Sequence, residues 1–207
     1  IPRDEFERIV RLAARRGFRI VSDECYCRLV YDGEPFSAAS IAGARDAVIV
    51  AGSLSKTYAM TGWRIGYTLA PAPVIEAATR LQSHTTSNPN SIAQRAATEA
   101  LRGPQDSVRR MLAEYRQRRD FVVARLRRIP GVTVVEPQGA FYAYPDIGVA
   151  LGRGGIGNTV QFAAKLLETA QVAVVPGDAF GTPTHIRISY ATSMHELERG
   201  LDRIHQF

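Results

Sequence analysis

The sequence predicts an α/β fold, a sheet with helices on its faces, followed by a smaller α+β domain. Two observations carry this. Over the first part of the chain, stretches of helical periodicity alternate with short apolar runs, the rhythm of buried strands covered by helices. Beyond a long amphipathic stretch that stops at Pro130-Gly131, the pattern changes to short alternating strands. The boundary falls inside that long helix, about 105–128, which bridges residues 1–115 and residues 116–207.

The elements follow in order. Pro2 suits a first helical turn, Asp4 and Glu5 favour its positive end, and Gly17 can close it. Phe6, Ile9, Val10 and Ala13 recur at helical spacing, so one face is buried. Strands are expected over 18–21, 47–51 and 64–69, the first two ending at Ser22-Asp23-Glu24 and Gly52-Ser53 and the third stopping before Pro71. Helices over 74–81 and 92–101 are separated by Ser87-Asn88-Pro89-Asn90, and the long helix begins after Gly103-Pro104. Strands over 132–135 and 140–144, a glycine-rich loop over 152–157, a helix over 159–170 and two further short strands follow, the second over 185–189. Ser193 and Glu196 have the spacing of a capping box and open the last helix.

Composition narrows the function. With 45% hydrophobic and 22% charged residues the chain is ordinary for a globular protein, and no stretch approaches the roughly 20 apolar residues of a membrane helix. The opening Ile1-Pro2-Arg3-Asp4-Glu5 mixes charges and is no secretory leader, so a cytoplasmic chain without membrane contact is expected. The formal charge is +6, yet no arginine cluster is interleaved with aromatics, so no nucleic-acid partner is expected, and the run from Arg109 to Arg128 reads as a solvated helix face. Cys25 and Cys27, the only cysteines, have the spacing of opposite strand faces and read as reduced packing residues. No metal site is expected, because these two have no nearby Cys or His to complete one. Of the 26 basic residues only Lys56 and Lys165 are lysines, which isolates Lys56 as a residue arginine could not replace.

Asp23, Ser53 with Lys56, and the loop leading to Arg64 sit at the ends of apolar runs, where open α/β sheets bind ligands. Ser53, Ser55 and Arg64 suit the oxygens of a phosphate. A lysine beside such a site suggests a covalent imine, and a carboxylate such as Asp23 could hold a ring nitrogen protonated. Those three demands describe pyridoxal 5'-phosphate. Plainer readings stay open: Asp23 as a turn former, Tyr26 as a packing aromatic, Ser53 and Ser55 as turn residues, Lys56, Arg64 and Arg187 as surface charges. Trp63, Phe141 and Tyr142 read as packing, and His84 and His185 as structural or solvent-facing.

The segment from Ser53 to Tyr67, with Lys56 and Arg64 in it, resembles the cofactor-lysine segment of the fold-type-I, class I/II aminotransferases. Ser22 to Tyr26 resembles that family's Asp-x-x-Tyr segment, His185 to Ala191 its carboxylate-binding arginine strand, and Gly139 to Tyr142 a small-domain strand near the substrate. A lone S-x-x-K match is weak; four ordered motifs are specific, and they span the chain.

The resemblance implies the C-terminal part of a pyridoxal-phosphate-binding large domain, with a mainly parallel sheet, over residues 1–115, and a small domain over 116–207. It implies that Lys56 binds the cofactor aldehyde and later moves a proton, that Asp23 pairs with the ring nitrogen, and that Tyr26 donates to the phenolic oxygen. Ser53, Ser55 and Arg64 would bind the phosphate, and Arg187 the substrate α-carboxylate. The reaction implied is amino transfer between an amino acid and a 2-oxo acid, with aspartate or a related dicarboxylic or aromatic donor favoured, in a homodimer to which 86–90 would contribute. A C–S lyase or synthase on the same scaffold, the aminotransferase-like domain of a DNA-binding regulator, or an inactive truncated fragment are the alternatives. Family members are roughly twice this length and carry an N-terminal part, including an Asn-Pro-x-Asn-Pro-Thr-Gly segment, not present here. The chain alone is therefore not expected to turn over substrate.

Overall fold

The computed structural model of the chain describes residues 1–152 and 154–207. They form two compact units, Ile1–Arg109 and Arg110–Phe207.

The first unit opens with α1 (Arg3–Arg16), with Pro2 at its cap and Gly17 closing it in the left-handed region, φ 72°, where its N–H donates to the Ala13 carbonyl. Asp4 and Glu5 lie in the first turn and Arg15 and Arg16 in the last, each matching the helix dipole. Phe6 and Val10 bury their side chains with Ala38, Ile41, Ala44, Val48 and Val50. Strands β1 (Ile20–Asp23) and β2 (Val48–Ser53) pair in parallel, Ile20 opposite Val48 and Asp23 opposite Ala51. Strand β3 (Gly66–Leu69) pairs antiparallel with β2, so the sheet runs in the order β1-β2-β3 among the described residues, with one parallel and one antiparallel pairing.

Several element boundaries differ from the sequence reading. β1 starts at Ile20, leaving Phe18 exposed, because its register is dictated by the buried valines of β2. β3 starts only at Gly66, because Arg64 adopts a left-handed conformation, φ 51°, that no strand accommodates. Helices α2 (Ala72–Thr85) and α3 (Ser91–Arg102) follow. The Asn90 side chain caps α3 by accepting from the N–H groups of Ile92 and Ala93. Ala93 and Ala97 of α3 pack on Leu54, Met60 and Ile65, which anchors the β2–β3 connection against a rigid helix.

Helix α4 (Asp106–Leu126) is the long helix, and most of it lies in the second unit. Its arginine run is not wholly solvated. Arg119 is buried, its Nε donating to Asp120 and an Nη to the Pro137 carbonyl, with Glu136 also beside it. The expected strand over 132–135 reduces to a single bridge, Thr133 with Asp146, and Val135 is exposed. Strand β4 (Tyr142–Ala143) is shorter than expected because Ala140 has φ 58°. Helix α5 (Thr159–Ala170), capped by Asn158, precedes β5 (Val175–Pro176) and β6 (Ile186–Ser189). The sheet order is β4-β6-β5, both pairings antiparallel. In α6 (Met194–Gln206) the Ser193 hydroxyl accepts from Glu196 N–H, one half of the capping box, while the Glu196 carboxylate takes Arg199. No helix among the described residues is long and apolar enough to cross a membrane.

Candidate active site

The site is built on strand ends. Because β1 and β2 are parallel, their carboxyl ends share one edge of the sheet. Because β3 returns antiparallel with Ser53 opposite Gly66, the residue two before that glycine, Arg64, is delivered to the same edge. The structure thus brings Asp23, Tyr26, Ser53, Ser55, Lys56 and Arg64 to one end of one sheet. Arg187 lies on β6 of the second unit.

Asp23 ends β1 exposed, and its Oδ1 accepts from Cys25 N–H at 3.0 Å, which starts the turn carrying Cys25, Tyr26 and Cys27. The cysteines are free thiols on this turn, not on a strand. What pins the turn is Glu24, a buried carboxylate whose Oε1 accepts from Ala38 N–H at 2.8 Å and from the hydroxyls of Ser37 and Ser22. Its own N–H donates to Ala51 of β2. Burial, then the Glu24 charge, pushes the Cys27 thiol above its ordinary range.

Ser53 ends β2, and its Oγ accepts from Ser55 N–H at 3.1 Å. Thr61 Oγ1 donates to the Ser55 carbonyl, and Arg64 Nη1 donates to the Thr61 carbonyl, each at 3.0 Å. These bonds fold the connection back on itself, with Lys56 half-buried at its centre. Among the described residues the hydroxyl hydrogens of Ser53 and Ser55 have no protein acceptor, and no carboxylate pairs with Arg64. A cluster of unspent donors with one fixed guanidinium is the complement of an anion. Arg64 also lines a cleft of about 750 Å³ with Trp63, Thr86, Asn88 and Asn90.

The ring of Tyr67 on β3 lies over Gly52, so close that a β-carbon there would sit 2.2 Å from Cζ. Partial burial of this phenol, then the charges of Cys27 and Glu24, raises its pKa. On β6 the Arg187 guanidinium carbon lies 4.5 Å from the Tyr142 ring centre and 4.8 Å from that of Phe180. His185 stacks on Tyr144 at 4.9 Å and its Nδ1 lies 3.1 Å from Thr184 Oγ1, a structural role.

The family described as aminotransferase class I and II matches residues 1–204. The chain belongs to the class I and II aminotransferases. It is 47% identical to the aspartate aminotransferase of Bacillus sp. strain YM-2 over 207 residues, 99% of this chain and 53% of that protein. The crystal structure of aspartate aminotransferase from Thermotoga maritima superposes with a TM-score of 0.88 at 41% identity, over 99% of this chain and 52% of that one. The aromatic aminotransferase structure from Pyrococcus horikoshii gives 0.92 at 35% identity, over 100% and 55%. The chain spans about half the length of the relatives it matches.

The sequence reading overlooked Glu24, Gly52 with Tyr67, and Phe180, and took Tyr142 only as packing. Only Gly52 carried a usable signal, a glycine within an apolar strand, which marks a close approach. Glu24 and Phe180 become significant through partners distant in the chain.

Proposed function

We propose that this chain supplies the cofactor-lysine and carboxylate-binding part of a pyridoxal-phosphate-dependent aminotransferase, which moves an amino group between an amino acid and a 2-oxo acid. The observation that carries it is the convergence of Lys56, Ser53, Ser55 and Arg64 on the β2–β3 connection, beside Asp23 and Tyr26. The donor set fits the cofactor at three places: an amine for the aldehyde, a carboxylate for the pyridine nitrogen, hydroxyls and a guanidinium for the phosphate. When bound, pyridoxal phosphate supplies an electron sink for charge developing at the substrate Cα. Lys56 Nζ would hold the cofactor at its aldehyde and would carry the proton at the substrate Cα. Asp23 keeps the ring nitrogen protonated, with Oδ1 oriented by the Cys25 N–H. Tyr26 donates to the phenolic oxygen, the two serines and Arg64 hold the phosphate, and Arg187 takes the substrate carboxylate as a two-pronged pair.

The names of the relatives favour aspartate, or a related dicarboxylic or aromatic donor. Residues up to about 115 are read as the later part of the cofactor-binding large domain and 116–207 as the small domain. The full reaction is proposed for a cytoplasmic homodimer of the relatives' length. Borohydride reduction of the chain with pyridoxal phosphate, followed by peptide mass spectrometry, tests the reading. An adduct on Lys56, absent from Lys56→Ala and sparing Lys165, supports it. Equal labelling of both lysines, or of neither, overturns it.

A further inference from the structure

The carboxylate role of Arg187 leaves unexplained how a flexible side chain is held to one orientation. Arg187 is half-buried on β6, the central strand of its sheet, and no carboxylate pairs with it among the described residues. Two rings do the holding. Tyr142 stands on β4, on one side of β6, and Phe180 in the 3-10 turn Gly177–Phe180 that follows β5, on the other. Both rings lie within 5 Å of the same guanidinium carbon, at 4.5 and 4.8 Å. Each ring is itself braced: Tyr142 packs on Phe141, and Phe180 meets Tyr144 edge to face.

We infer that Tyr142 and Phe180 are positioning residues that clasp the Arg187 guanidinium from the two sides of β6, so that it meets a planar carboxylate edge-on. The physics is specific to arginine. A ring attracts the guanidinium through its π face and takes up none of its N–H donors, so the edge stays available for two parallel hydrogen bonds. A protein carboxylate in place of the rings would fix the side chain equally well and consume those donors. The rings also remove rotamer freedom before the ligand arrives, so less is lost on binding. The inference rests on the reading of Arg187 as the carboxylate site.

The test is titration of the full chain with succinate, following the side-chain Nε–H signals of the arginines by NMR. The Arg187 signal is identified by its loss in Arg187→Lys. Wild type is expected to show a slowly rotating Arg187 guanidinium whose signal shifts with succinate. Phe180→Leu and Tyr142→Leu should each weaken succinate binding roughly fivefold to tenfold and speed the guanidinium rotation. Phe180→Tyr and Tyr142→Phe, which keep the rings, should stay within about twofold of wild type, and circular dichroism checks that each variant is folded. If Arg187→Lys binds succinate like wild type, or wild type binds none, the carboxylate reading fails and the clasp with it. If Arg187→Lys loses binding while both leucine variants keep wild-type affinity and rotation, the carboxylate reading stands and the clasp is overturned.

Discussion

Tyr67 lies across Gly52, its partner on the neighbouring antiparallel strand, with no space for a β-carbon between them. A glycine in a strand interior normally weakens the sheet. Here the ring of the opposing tyrosine covers the exposed backbone just before Ser53. Gly52→Ala forces the ring off the sheet and is expected to cost about 1–3 kcal/mol. Adding Tyr67→Ala should recover part of that loss. Urea unfolding, followed through Trp63, the chain's single tryptophan, measures both. An unchanged midpoint for Gly52→Ala would contradict the contact.

Glu24 should prove more important to stability than its surface-type composition suggests. One oxygen accepts from Ala38 N–H and from two serine hydroxyls. Removing the acceptor leaves a buried N–H unsatisfied, so Glu24→Ala is expected to lose about 2–3 kcal/mol and Glu24→Gln about 1. The same tryptophan-detected unfolding reads this, and equal losses for the two variants would show that charge, not acceptance, is what counts.

In the second unit, Arg119 is buried while its acidic partners stay half in water. Arg119→Ala should destabilise by about 3 kcal/mol, through lost packing and the stranded Pro137 carbonyl. Arg119→Met, which keeps the stem, should cost less than half as much. Thermal melts by circular dichroism separate them; a methionine variant as unstable as the alanine one would assign the loss to charge.

Alkaline pH should destabilise the fold. Burial raises the Cys27 thiol above 9.0 and the Tyr67 and Tyr115 phenols above 10.0. Near pH 7 all three are neutral, folded or unfolded. Above it the unfolded chain releases protons first, so stability falls as pH climbs from about 9 through the folded pKa values. Melts from pH 7 to 11 should show this slope, and Tyr67→Phe with Tyr115→Phe should flatten it. An identical slope in the double variant would place the effect elsewhere.

The helices were legible in the sequence because their signals are local. Gly17, Asn90 and Ser193 mark ends through backbone geometry and capping that need no distant partner. Strand ends were less so. The start of β1 is decided by valines of β2, and that of β3 by the left-handed Arg64. Among the candidate site residues, those carried by one continuous segment, Ser53 to Arg64, could be read together; the supports could not. Ala38 comes fourteen residues after Glu24, and Phe180 reaches Arg187 across a strand pairing. Buried hydrogen bonds and stacked rings between distant positions leave no periodicity to read.

Three of the bonds that fold the β2–β3 connection back on itself, Ser55 N–H to Ser53, Thr61 to Ser55 and Arg64 to Thr61, lie between Ser53 and Arg64. Short-range contacts close quickly, since little chain entropy is lost in forming them. On a growing polypeptide these turns can begin to close before α3 and Gln105, which brace the connection through Leu54, Met60 and Tyr58, have been synthesised. The shape of the connection would then precede the helix that supports it.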